Sequence, residues 1–163
     1  MGSFVQMQFQ TLFAYHWHTT RQLLDCAANL NPAEVTANPG YGQGSIHTIF
    51  FHLLRTDYLW RVRLETGERP QPPAIEAYPT LESLREGFES EAQAWQAFLE
   101  RLTEEEIMGG IRLADRHGAM HDFLRWRILQ HVILHGMQHH AELAQLLTAK
   151  GQSPGDIDFI FFG

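Results

Sequence analysis

Three histidines, His131, His135 and His139, recur every four residues near the end of the chain. The segment from 120 to 150 contains no proline, and its apolar residues repeat at the intervals of three and four that bury one face of a helix. Side chains four residues apart on a helix lie one above the other, about 5–6 Å apart, so two imidazoles at that spacing can bind one metal ion. We therefore predict that the histidines point inward and that His135 and His139 are metal ligands.

A third ligand must come from elsewhere in the chain, and His52 is the leading candidate. It lies among apolar residues, where a single histidine is usually a packed core residue. His47 competes for the same role, because spacing alone does not separate the two. His131 lies one turn before His135, so we expect it to pack beside the site or to support a ligand. The alternative for His135 and His139 is a pair of core histidines whose ring nitrogens bond to carbonyl or carboxylate groups.

Two well-known helical metal sites do not match this pattern. Zinc peptidases place a glutamate directly after the first histidine as the general base, and here Gly136 stands at that position. Di-iron carboxylate bundles need paired Glu-x-x-His motifs on different helices, which this sequence lacks. A glycine inside a helix costs about 1 kcal/mol relative to alanine. We therefore expect close helix packing, or a need for room beside the site, at Gly136.

Glu142 is the predicted catalytic side chain. It lies three residues after His139, on nearly the same helix face. From there its carboxylate could orient a ligand, act as a base toward bound water, or complete the coordination shell. The alternative is a surface ion pair. Asp57 and Tyr58 are weaker candidates for a role in the site.

The composition restricts the class of protein. Aspartate and glutamate (19) outnumber lysine and arginine (12), giving a formal charge of −7, and no dense basic run offers a surface for nucleic acid. The single cysteine, Cys26, cannot form an intrachain disulfide, so we expect a buried free thiol. No signal-peptide pattern or membrane-spanning apolar segment is apparent. We therefore expect a cytoplasmic protein that binds neither nucleic acid nor membranes.

Amphipathic periodicity predicts four long helices. Four prolines between 68 and 79 forbid regular helix there and indicate an extended crossover. The sequence therefore predicts an all-α fold, an antiparallel four-helix bundle with a long crossover connection, in one domain spanning 1–163. The predicted ranges are about Phe4 to Leu30, an N-cap at Ser45 to near Gly67, Thr80 to about Leu102, and a last helix that follows an irregular hairpin over Ile107–Met120 and ends before Gly151.

Two motifs give the chain a resemblance to a known family. The first is Ser45-Ile-His-Thr-Ile-Phe-Phe-His52-Leu-Leu, followed by Asp57 and Trp60. The second runs from His131 through His135-Gly-Met-Gln-His139 and continues to Leu143, Leu146, Leu147, Gly151, Pro154 and Asp158. In their order and separation these motifs resemble the DinB family, the DinB/YfiT-like metalloenzymes, over most of the domain. One departure is that the family often has Arg-Gly-Gln after the last ligand, where this chain has His140-Ala-Glu142.

The resemblance implies a ligand set and a type of activity. It implies that His52, His135 and His139 hold one divalent ion, with zinc, nickel or iron as candidates, on a four-helix bundle that is often a homodimer. Members resemble thiol-dependent S-transferases that use a low-molecular-weight thiol and a small electrophilic substrate.

A site with three imidazole ligands is compatible with a catalytic function, either transfer or hydrolysis, and with a noncatalytic one. Three neutral imidazoles leave the charge of a divalent ion uncancelled and one tetrahedral position open, which is typical of a catalytic site. A bound thiol would become a thiolate for transfer, whereas bound water would become hydroxide for hydrolysis, and the residues alone permit both. We expect a metal-dependent S-transferase. The rival is a noncatalytic metal-binding or dimerising stress-related bundle, in which the ion is structural or incidental.

Overall fold

A computed structural model describes residues 2–115 and 117–163 of the chain. Its four long helices are α1 (Phe4–Ala27), α3 (Ile46–Thr66), α4 (Leu81–Arg101) and α6 (Arg125–Ala149). The connections contain two short helices, α2 (Pro32–Thr36) and α5 (Glu104–Met108), and a 3₁₀ turn, Ile75–Ala77, and a second 3₁₀ turn, Phe159–Phe161, lies in the C-terminal tail. A two-stranded antiparallel hairpin, β1 (Gly110–Ala114) and β2 (Met120–Leu124), precedes α6.

The four long helices form the predicted bundle. Helix α1 packs against α4 and α6, and α3 packs against the same two helices from the other side. His52 meets His139, and Trp60 meets His131, so α3 and α6 run in opposite directions. Phe50 meets Phe88, and Glu65 pairs with Arg101, so α3 and α4 run in the same direction. The all-α prediction is confirmed, and the crossover is what allows two consecutive long helices to be parallel.

Side-chain caps define where the helices begin. The hydroxyl of Ser45 accepts from the backbone N–H of Thr48, which confirms the predicted N-cap of α3. Thr80 and Ser83 form a reciprocal capping box at the start of α4. At its other end α3 stops at Gly67, whose φ of 74° closes the helix in the left-handed region. Local sequence therefore fixes both ends of α3, the helix that carries His52.

The hairpin extends further than the sequence predicted. The predicted hairpin ended at Met120, with the helix following, but residues Met120–Leu124 form the second strand and α6 begins at Arg125. The four-residue interval from Leu124 to Ile128 suggested helix, yet Leu124 pairs with Gly110, and the N–H of Arg125 donates to Gly109 O. Strand pairing therefore competes successfully with the helical pattern at this end.

The first helix is shorter than predicted. It ends at Ala27, not near Leu30. Asn31 then caps the short helix α2, with Pro32 in its first turn. The Asn31-Pro32 pair was expected only to stop α1, and it also starts a new helix.

The core is a continuous apolar cluster between the four long helices. Three of these long helices carry large side chains that are almost completely buried, namely Phe13 on α1, Phe50 on α3, and Phe88 and Trp95 on α4. Among the described residues, no helix is long and apolar enough to cross a membrane. The burial of these apolar side chains stabilises the bundle through packing that does not depend on a metal ion.

The C-terminal tail lies along α1. Gln22 donates to Pro154 O at 2.7 Å, and the Tyr15 hydroxyl donates to Ile157 O at 2.5 Å. The rings of Phe159 and Phe162 pack edge-on against Tyr15. The tail therefore covers one side of the bundle, while the side chains of Ile160 and Phe161 remain exposed.

Candidate metal centre

Three histidines from α3 and α6 converge at one point in the antiparallel pair. His52 Nε2 lies 3.0 Å from His135 Nε2, and one ligand nitrogen from each of His52, His135 and His139 lies within 4.8 Å of the other two. Two nitrogens bound to one zinc ion at tetrahedral geometry are roughly 3.4 Å apart. The group could therefore hold a divalent metal ion after small side-chain adjustments.

The protonation of these imidazoles suits metal binding. Burial, followed by the nearby His139, lowers the pKa of His135 to about 4. Burial and then His139 also lower the pKa of His52 below its ordinary value. Rings with lowered pKa values are neutral at pH 7, so their nitrogen lone pairs are available to a cation.

A carboxylate holds the orientation of His139. Glu142 Oε2 lies 2.9 Å from His139 Nδ1, and Glu142 Oε1 accepts from the backbone N–H of Gln43, also at 2.9 Å. His139 is only 2% exposed. With Nδ1 engaged by the carboxylate, Nε2 of His139 is the nitrogen left for a metal, as in carboxylate–histidine–metal arrangements. The catalytic role of Glu142 remains a prediction, and this geometry favours the orienting role.

The loop from 38 to 44 reaches this carboxylate through a glycine. Gly42 has a φ of 63°, and a Cβ built on it would collide with Glu142 Oε1. A side chain at this position would therefore be strained by its own backbone and would displace the carboxylate.

The other two candidate histidines lie outside this group. His47 is buried, and its Nε2 lies 2.7 Å from Tyr78 O. Its ring therefore bonds to the crossover segment and is not part of the three-histidine group. His131 was expected to point inward with its neighbours, but its side chain is exposed and packs edge-on against Trp60. Exposure along α6 therefore decreases from His131 through half-buried His135 to buried His139.

A second, fully buried polar cluster lies between α1, α3 and α6, and the sequence did not predict it. His16 Nε2 lies 2.9 Å from Asp57 Oδ2, and Thr20 Oγ1 lies 2.9 Å from His140 Nε2. The rings of His16 and His140 are 4.9 Å apart at their centroids. The sequence indicates Asp57 only as a weaker candidate for a role in the site and gives no signal for His16. No spacing along the chain relates two residues that lie on different helices.

Gly136 is explained by this cluster. A Cβ on Gly136 would collide with Nδ1 of His16, so the glycine lets the imidazole from α1 lie directly against the backbone of α6. This confirms the expectation of close helix packing at Gly136. It also places the His16 ring beside the backbone of a residue adjacent to His135.

The fold and the site together define a class of protein: a helical bundle whose second and last long helices carry a three-histidine group able to hold a metal ion. The model of the DinB family matches residues 1–163, and the chain belongs to that family. The crystal structure of a DinB-like protein from Bacillus subtilis, YjoA, is similar in fold, with a TM-score of 0.66 and 18% identity over 90% of this chain and 94% of that one. No curated protein matches the sequence.

Proposed function

We propose that this protein is a metal-dependent S-transferase that joins a low-molecular-weight thiol to a small electrophile. The observation that carries the proposal is the convergence of three imidazole nitrogens from His52, His135 and His139 within 4.8 Å. Membership of the DinB family supports a metal-associated function, and the resemblance noted in the sequence supports thiol transfer.

In this proposal the three histidines hold a divalent ion, with zinc, nickel and iron as candidates. When bound, such an ion lowers the pKa of a thiol at its open position and favours the nucleophilic thiolate. The imidazoles contribute no negative charge, so they leave this electrostatic effect undiminished. Glu142 fixes the ring of His139 through Nδ1, and its second oxygen is held by the N–H of Gln43. Glu142 is thus a positioning residue here, because action as a base would disrupt these bonds.

The direct test compares metal content and thiol consumption in matched variants. We expect His135→Ala and His52→Ala to lose most bound zinc, nickel or iron in elemental analysis, and to lose metal-dependent thiol consumption over a panel of electrophiles. His131→Ala is the control, since it removes an exposed histidine one turn away on the same helix. Wild-type protein that binds metal but consumes no thiol across the panel would contradict the transferase. Release of hydrolysis products instead would favour a metal-dependent hydrolase.

Chelation separates a catalytic ion from a structural one. The extensive apolar core should keep the bundle folded without metal, so circular dichroism should show little loss of helicity after chelation. Extensive loss of helicity would support the noncatalytic alternative, in which the ion serves folding.

A further inference from the structure

The outer nitrogen of each proposed ligand needs a hydrogen-bond partner. An imidazole that binds a metal through Nε2 carries its proton on Nδ1, and that N–H normally donates to a carboxylate, a carbonyl or water. His139 has Glu142 for this purpose, and His52 is only half-buried, so solvent can serve it. His135 Nδ1 is buried and has no partner within the described part of the chain.

The buried pair of Asp57 and His16 offers a hydrogen-bond acceptor close to the backbone of α6 beside His135. The side chains are 0% and 1% exposed, and an ionised carboxylate can only accept, so His16 carries a proton on Nε2. His16 Nδ1 is buried without a partner at Gly136, next to His135 in the chain. A second proton on His16 would bring positive charge toward the metal site. His16 Nδ1 is therefore an unprotonated acceptor.

His140 supplies a second acceptor of the same kind. Thr20 Oγ1 donates to His16 O at 2.9 Å, so its single proton is already used. It must accept from Nε2–H of His140, and this leaves His140 Nδ1 unprotonated. That nitrogen is also buried without a partner among the described residues. Among the described residues this region thus contains one unpaired donor, Nδ1–H of His135, and three unpaired acceptors, namely Nδ1 of His16, Nδ1 of His140 and Oδ1 of Asp57.

We propose that Asp57 and His16 are positioning residues for His135, acting through one buried water that accepts from His135 Nδ1–H and donates to His16 Nδ1. This inference rests on the proposed metal site. One water molecule can accept from His135 and donate two hydrogen bonds, one to His16 Nδ1 and one to another of the unpaired acceptors, and buried waters typically make about three hydrogen bonds. The negative charge of Asp57 fixes the tautomer of His16, which fixes that of His135 and directs its Nε2 toward the metal.

Asp57→Asn tests the tautomer directly. The amide can donate to His16 Nε2, which would move the His16 proton to Nδ1 and oppose the donor on His135. We expect Zn²⁺ affinity, measured by competition with a chelator, to fall about 10- to 100-fold, with a changed Co²⁺ absorption spectrum. His16→Gln is the second variant, because a glutamine can still donate to Asp57 but lacks the acceptor at the Nδ1 position.

Glu91→Gln is the matched control. It makes the same change from carboxylate to amide at a buried residue, but Glu91 pairs with Arg61 between α3 and α4. It should leave Zn²⁺ affinity within about twofold of wild type. An equal loss of affinity in Glu91→Gln and Asp57→Asn would indicate general loosening of the bundle and would overturn the assignment.

Nitrogen-15 NMR of the zinc-loaded protein adds a readout that loss of stability alone would not produce. We expect the proton on Nε2 of His16 and on Nδ1 of His135 in the wild type, and a switched His16 tautomer in Asp57→Asn. Unchanged tautomers and unchanged Zn²⁺ affinity in both variants would overturn this inference and leave the metal site intact. Failure of the wild type to take up either Zn²⁺ or Co²⁺ would overturn the metal site as well.

Discussion

At the scale of single residues, the site depends on a close approach that only glycine permits. His16 from α1 lies against Gly136 of α6, and its other nitrogen pairs with Asp57 of α3. One imidazole therefore connects three helices beneath the histidines that could hold a metal. A glycine inside a helix is normally unfavourable by about 1 kcal/mol, so the tertiary contact outweighs the local preference here.

Gly136→Ala tests this balance. Alanine raises helix propensity by about 1 kcal/mol, but the new methyl group would push the His16 ring away, and we expect a net loss of about 1–3 kcal/mol in the free energy of unfolding. Urea denaturation measures the change. The same substitution in a His16→Ala background should be neutral or stabilising, because the obstructing ring is gone. Equal destabilisation in both backgrounds would show that the His16 contact is not the cause.

At the scale of elements, a loop and a helix jointly orient one histidine. The backbone N–H of Gln43 holds Glu142, which in turn holds His139 on α6. The loop can come this close because Gly42 has no side chain. The turn before α3 therefore helps to orient a residue almost a hundred positions later in the chain.

Gly42→Ala should weaken metal binding more than it weakens the fold. Both Gly42 and Gly40 have positive φ, so alanine at either position costs about 1–2 kcal/mol of backbone strain. Only at Gly42 would the methyl group also displace Glu142, since nothing lies near a Cβ at Gly40. We expect roughly tenfold weaker Zn²⁺ binding for Gly42→Ala and little change for Gly40→Ala, measured by chelator competition. Equal affinities in the two variants would contradict the role of this loop.

At the scale of the whole molecule, the bundle places neutral histidines in a largely apolar interior. Burial is the main cause of the lowered pKa values of His52, His135 and His140. These rings resist protonation in the folded protein but not in the unfolded chain. Folding stability is therefore linked to pH through them.

The metal-free protein should lose stability as the pH falls from about 6.5 toward 4. In this range the unfolded state binds more protons than the folded state, so the free energy of unfolding decreases with decreasing pH and changes little through these groups above pH 7. Urea denaturation at pH 7.5, 6.5 and 5.5 measures the trend. His135→Gln removes one of the groups and should make the dependence shallower. A flat profile in the wild type over this range would contradict the prediction.

Patterns within single short segments of the chain are enough to predict much of the molecule. The four-residue spacing of His135 and His139, the cap at Ser45 and the prolines of the crossover are local features, and each has the predicted structural consequence. Helical periodicity and backbone capping depend on residues only a few positions apart, so they can be read from the chain directly.

Contacts between helices were decided only by the tertiary structure. The sequence left His52 and His47 as rivals, and the rotation of α3 directs His52 toward α6 and His47 toward the crossover. The pairing of His16 with Asp57 joins residues 41 positions apart, and the pairing of Leu124 with Gly110 shortened the predicted last helix. Rotation and register between helices depend on how the whole core packs, and no single segment contains that information.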